Sequence, residues 1–165
     1  MKTPDIAWEG RLADLWKTID ERGPEEFVET MRQLTAELPE GSPAALFELG
    51  AAYDSTGSPR EALDLYKAAL NAGLSGLRRR RVRIQMASSL RNLGQAQQAA
   101  DILFAELQQP SDELDQAVSA FLALALADLG REREALSLSL GALSKYLPRY
   151  NRSLARYAEA LHSAA

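Results

Sequence analysis

The sequence contains no cysteine, a single histidine, three methionines and aromatic residues at only 7% of its positions. Without cysteine there is no thiol nucleophile, thiolate zinc site or disulfide, which suits a reducing compartment. The lone His162, close to the C-terminus, cannot hold a metal by itself, and at a helix end it reads as a solvated side chain. Long apolar runs are missing too. No segment stays apolar for the ~20 residues a membrane span needs, and Met1-Lys2-Thr3-Pro4-Asp5-Ile6-Ala7-Trp8-Glu9 lacks the apolar core of a secretory signal. The expectation is a soluble, cytoplasmic protein with no membrane contact. Also absent are a Gly-x-Ser-x-Gly elbow, a Gly-x-x-x-x-Gly-Lys loop and a His-Glu-x-x-His pair, the usual carriers of hydrolytic, phosphoryl-transfer and zinc chemistry. Carboxylate pairs such as Asp112 with Glu113 and Glu132 with Glu134 stand at helix starts, where they complement the macrodipole. No enzyme, cofactor or metal is expected.

At 165 residues the chain suits one domain, burying roughly 68–70% of its unfolded surface without staples. Its formal charge of −4 argues against a nucleic-acid binder working through overall charge. The charge is unevenly placed, however. Residues 1–40 hold ten acids against five bases, residues 131–165 hold six bases against three acids, and five arginines fall within residues 78–83.

What is present is a repeat. Tyr53-Asp54-Ser55-Thr56-Gly57 with Ala62 and Tyr66 aligns without a gap on Leu90-Arg91-Asn92-Leu93-Gly94 with Ala99 and Leu103. Both align on Leu126-Ala127-Asp128-Leu129-Gly130 with Ala135 and Ser139. Gly57, Gly94 and Gly130 each follow a stretch of apolar-periodic residues, and a new helical pattern starts directly after; Gly23 extends the series backwards. A left-handed residue at such a glycine ends one helix without steric cost, so each unit is helix, tight turn, helix. Ser58-Pro59-Arg60-Glu61 reads as a capping box with proline in the first helical position, and Gly41-Ser42-Pro43 and Gly23-Pro24-Glu25-Glu26 repeat the theme. Ala62, Ala99 and Ala135 sit where paired helices would cross closely, and Leu46, Leu49, Tyr53, Leu63 and Tyr66 recur at helical spacing. No strand pattern competes. The expected helices are 7–21, 24–38, 43–56, 59–72, 77–93, 96–108, 112–129, 132–146 and 150–163, about four pairs plus a capping helix.

These residues resemble the tetratricopeptide repeat, with Leu46, Leu49-Gly50, Tyr53, Gly57, Ala62, Tyr66 and Ala69 carrying the first full match. Met86-Ala87, Leu90, Gly94, Ala99 and Leu103 carry the second, and Leu122-Ala123, Leu126, Gly130 and Ala135 the third, where Ser139 replaces the aromatic. The resemblance implies an all-α solenoid wound as a right-handed superhelix. A degenerate helix pair would occupy residues 1–42, three repeats residues 43–147 and a cap residues 148–165. The stretch 77–94, with Leu147-Pro148-Arg149-Tyr150, is also similar to a short bacterial subgroup of the family without assigned activity.

In that family the first helix of each pair lines a concave groove that binds proteins or peptides. The resemblance therefore points to Ala44, Phe47, Glu48, Ala51 and Asp54 in one repeat, to Arg81, Ile84, Gln85, Ser88, Arg91 and Asn92 in the next, and to Ala117, Ala120, Phe121, Leu124 and Asp128 in the third. Arg81, Gln85, Ser88 and Asn92 fall on one helix face by spacing alone. They could hold an acidic partner or a free carboxylate, with Arg81 and Arg91 on the carboxylate and Gln85 and Asn92 on an extended peptide backbone. The same stripe could instead be solvated, or its arginines paired internally to Asp54 and Asp128. Arg152 and Arg156, with Arg149, Ser153 and Tyr157, could form a second basic wall or a polar cap. Heat-shock chaperone clamps of the family use Lys and Asn where this chain has Phe47 and Ala51, which argues against that client. The alternative is self-association: the exposed inner faces Phe47, Ala51, Ala120, Phe121 and Leu124 would be apolar enough to favour burial against a second copy, as in a homodimer. The arginine run could contact phosphates, but it lacks interleaved aromatics and scatters around a helix.

Overall fold

The structure, a computed structural model, describes residues 4–163, with side chains as far as Leu161. Met1, Lys2 and Thr3 of the opening read above, and the side chain of His162, lie outside the described residues. Among those described the chain is helical throughout, with no strand: α1 (Ile6–Lys17), a 3-10 turn (Ile19–Glu21), α2 (Pro24–Thr35), α3 (Pro43–Ser55), α4 (Pro59–Asn71), α5 (Gly76–Asn92), α6 (Ala96–Leu107), α7 (Asp115–Asp128), α8 (Glu132–Ser144) and α9 (Asn151–Ser163). This is the expected all-α repeat fold.

The repeat's turn is built the same way three times. Gly57, Gly94 and Gly130 take φ of 89°, 77° and 72°. The amide after each donates back to the equivalent carbonyl, Ser58 to Tyr53, Gln95 to Leu90 and Arg131 to Leu126, each at 2.9 Å. This six-to-one closure satisfies a carbonyl that the helix end would leave bare. Gly94→Val is therefore expected to lower stability by about 1–2 kcal/mol or more, whereas Gly94→Asn should cost less, because asparagine tolerates the left-handed region. Urea denaturation of both variants checks this, and a wild-type midpoint for the valine variant would contradict it.

Several local expectations need correction. Gly23 is not a fourth left-handed turn. It lies at φ −65°, ψ 149° as the N-cap of α2, because the residue before proline is pushed to extended backbone. The helix expected over 7–21 ends at Lys17, with the Thr18 hydroxyl donating to the Leu15 carbonyl at 2.7 Å before the 3-10 turn. Ser58 does stand at the N-cap of α4, but its hydroxyl makes no capping bond there. At ψ 65° its backbone is far from the extended geometry that capping requires. Ser42 does cap α3, accepting from the Ala45 amide at 3.5 Å. The helix expected from 112 begins at Asp115, because the Asp112 carboxylate accepts from the Leu114 amide at 2.8 Å and holds those residues as a turn.

Two compact units divide the chain, Met1–Gln85 and Met86–Ala165, with the boundary inside α5. The core of the first joins Trp8, Leu12 and Leu15 of α1 to Phe27, Val28, Met31 and Leu34 of α2 and to Ala52 of α3. The Trp8 indole N–H reaches the Leu34 carbonyl at 2.9 Å, so the ring is buried without an orphaned donor. In the second unit, Ala99, Ala100 and Leu103 of α6, Val118, Leu122 and Leu126 of α7, and Ala135 of α8 are buried. α9 is held to α8 by the Ser137 hydroxyl on the Ala158 carbonyl at 2.7 Å and by Arg133 on the Leu161 carbonyl at 2.9 Å. Ala62, Ala99 and Ala135 are buried.

Candidate functional site

The first unit covers most of the face expected to be open on α3. Ala44, Phe47, Glu48 and Ala51 are all buried, and only Asp54 keeps part of its surface. Phe47 and Ala51 are therefore core residues, and neither is an exposed contact for a ligand or a second copy. The reason is local packing. Phe47 lies 6.2 Å, centroid to centroid, from the buried ring of Tyr66 in α4, and the Arg81 guanidinium of α5 sits 5.0 Å over its own ring.

Arg81 is half-buried. Stacked on Phe47, it presents the aromatic face with its charge. It enters no ion pair among the described residues. Beside it, the Tyr66 hydroxyl donates to Asp54 at 3.3 Å. Burial first, then the charge and hydrogen bond of Asp54, raise the Tyr66 phenol well above its ordinary range. Tyr66 is thus a neutral donor at any ordinary pH, and part of Asp54's accepting capacity faces inward.

A second cluster in this unit carried no signal in the sequence. Glu48 is 1% exposed. Its carboxylate accepts from the Trp16 indole at 3.2 Å and from Arg78 Nε at 2.9 Å. The other two Arg78 nitrogens hold Glu9 of α1 at 2.9 and 2.6 Å. One guanidinium thus joins α1, α3 and α5 through a charge-assisted bond from each of its three nitrogens. Its role is structural, since Glu48 has no open surface from which to meet a ligand.

In the second unit Arg91 is committed to Asp128, with Nε 2.6 Å from Oδ2 and Nη2 3.1 Å from Oδ1. Of the two arginines that could have met a ligand carboxylate, Arg91 follows the internal-pairing reading and Arg81 does not. Gln85 and Ser88 are half-buried and Asn92 is exposed, along α5. Phe121 is half-buried on α7, while Arg152 and Arg156 stand exposed on α9 and in no ion pair among the described residues. None of the five arginines in residues 78–83 is exposed, and Arg80 is buried. A stripe of open cations for phosphates is not formed. Among the described residues no group of histidine and carboxylate side chains could hold a metal, and no helix is long and apolar enough to cross a membrane.

The comparisons with known proteins agree with this architecture. A family model described as Tetratrico peptide repeat matches residues 43–161, taking in the three repeats and most of α9. Among solved structures, similarity extends to the nearly identical TPR-like repeats of a candidate kinesin light chain from Podosopora anserina. A second structure of those repeats, carrying one substitution, matches equally well. Each is 18% identical, with a TM-score of 0.66 over 95% of both chains, which is a likeness of fold. No curated protein matches. With a family model over more than two-thirds of its length and the same closing turn in each repeat, the chain belongs to the tetratricopeptide repeat family.

Proposed function

We propose that this chain is a non-enzymatic adaptor that holds a carboxylate-bearing segment of a partner protein at the first unit, with Arg81 as the anchor. Tetratricopeptide repeats generally mediate protein–protein interaction or scaffolding, and the finer assignment rests on one observation. Arg81 is held over Phe47 at 5.0 Å and enters no ion pair among the described residues, whereas Arg78 and Arg91 are both spent on acids of their own unit. A fork fixed by stacking loses little rotamer freedom on binding, and bidentate pairing with a carboxylate is what it suits.

The test is selection from a display library of peptides with free C-termini, followed by fluorescence anisotropy with the selected sequence. Arg81→Ala is expected to weaken binding by about 1.5–3 kcal/mol, a factor of ten or more, with circular dichroism unchanged. Equal affinities for wild type and Arg81→Ala would refute the assignment.

A further inference from the structure

We infer that α9 and the turn before it form a docking face for the acidic first hairpin of a second copy of this chain. Residues 145–161 carry Lys145, Arg149, Arg152 and Arg156 against the single acid Glu159. All four bases are exposed, and none enters an ion pair among the described residues. Interleaved with them, Tyr146, Tyr150 and Tyr157 are 71%, 78% and 64% exposed, whereas Tyr53 and Tyr66 are packed. Tyrosine and arginine together are the composition that protein interfaces favour.

Tyr150 adds an independent reason. It is the only non-glycine residue with positive φ among those described, at 65°. Its carbonyl accepts from the Leu154 amide at 2.9 Å and from the Ser153 hydroxyl at 3.0 Å, so it opens α9. Glycine or asparagine would make this turn at lower cost, and the exposed ring recovers nothing from packing within the chain. A strained residue whose side chain is held into solvent points to a contact made outside the chain.

The charge accounting of the first hairpin names the occupant. Its described bases, Arg11, Lys17, Arg22 and Arg32, are each taken by an acid of the same segment: Glu37, Asp14, Glu26 and Glu29. That leaves Asp20, Glu21, Glu25 and Glu40 exposed and in no ion pair among the described residues. Asp20, Glu21 and Glu25 stand together at the turn into α2, opposite in charge to the unpaired bases of α9, whereas Glu40 lies beyond the far end of α2. Because the two faces differ, the contact is heterologous and each copy can offer both. Phe47 and Ala51, buried in the first unit, take no part.

Sedimentation velocity over roughly 1–200 µM at low and high salt tests this, since exposed charges lose most of their reach when the Debye length falls to a few ångströms. The average mass is expected to rise with concentration at low salt and to return to the monomer at high salt. Arg149→Glu, Arg152→Glu and Arg156→Glu together should leave a monomer at low salt, as should Asp20→Lys, Glu21→Lys and Glu25→Lys together. An equimolar mixture of those two variants should associate again. Where a triple variant loses its helical signal, Arg152→Glu or Glu21→Lys alone should still weaken association several-fold. Tyr150→Asn should weaken it without lowering Tm. A wild-type monomer at every concentration in low salt would overturn the inference, and so would charge-reversed variants that associate like wild type or a mixture that stays monomeric.

Discussion

Gly50→Val is expected to lower the free energy of unfolding by about 3 kcal/mol or more, the upper end of what overpacking costs. A Cβ on Gly50 would stand 2.9 Å from Tyr66 Cδ1 and Cε1 and 3.2 Å from Leu65 Cβ, closer than non-bonded carbons approach. Tyr66 cannot retreat, being fully buried, flanked by Phe47 and tied to Asp54 through its hydroxyl. The loss exceeds the 0.5–1 kcal/mol, roughly, that replacing a mid-helix glycine otherwise gains. Gly10→Ala supplies the contrast. Nothing lies within 4 Å of a Cβ placed there in α1, so that variant should gain about 0.5–1 kcal/mol. Urea midpoints moving in opposite directions are the expected result; a neutral Gly50→Val would mean that α3 and α4 do not pack as described.

The second large effect concerns the buried carboxylate. Arg78→Met strips Glu48 of its charged partner and leaves the Trp16 indole as its remaining donor among the described residues. Breaking such a pair from one side costs about 3–5 kcal/mol, because the surviving charge stays desolvated. Glu48→Leu should cost less, since Arg78 still holds Glu9, which is partly in water. The double variant Arg78→Met, Glu48→Leu should recover most of the Arg78→Met loss, as an apolar pair of similar volume often equals a buried ion pair. Thermal and urea unfolding of the three variants check the order. Losses that simply add would contradict a direct coupling.

The elements of this fold were legible because their punctuation is local. Pro24, Pro43 and Pro59 each open a helix, and Gly57, Gly94 and Gly130 each close one; both act through backbone geometry within a few residues. The exceptions are also local, but they turn on competition. Gly23 yields to the proline after it, and the Ser58 hydroxyl yields to a backbone already bent by the repeat's turn. Side-chain fate was less legible. Glu48 reads as one polar residue in a groove, and what buries it comes from Trp16, Arg78 and Glu9. The first two lie 32 and 30 residues from it, and Glu9 is 69 from Arg78. The family resemblance put Phe47 and Arg81 on groove-facing positions, but it does not report that one would stack on the other. The pairing of Arg91 with Asp128 was one of three readings the residues left open, and 37 residues separate the partners.

A double-mutant cycle between the protein and its selected peptide tests the adaptor account most directly. Binding is measured for wild type and Arg81→Ala, each with the free-carboxylate peptide and with its amidated form. The account predicts that removing either partner costs about 1.5–3 kcal/mol and that removing both costs little more than one, a coupling of similar size. Independent losses, with a coupling near zero, would show that the carboxylate is held elsewhere and that Arg81 is only the lid on Phe47.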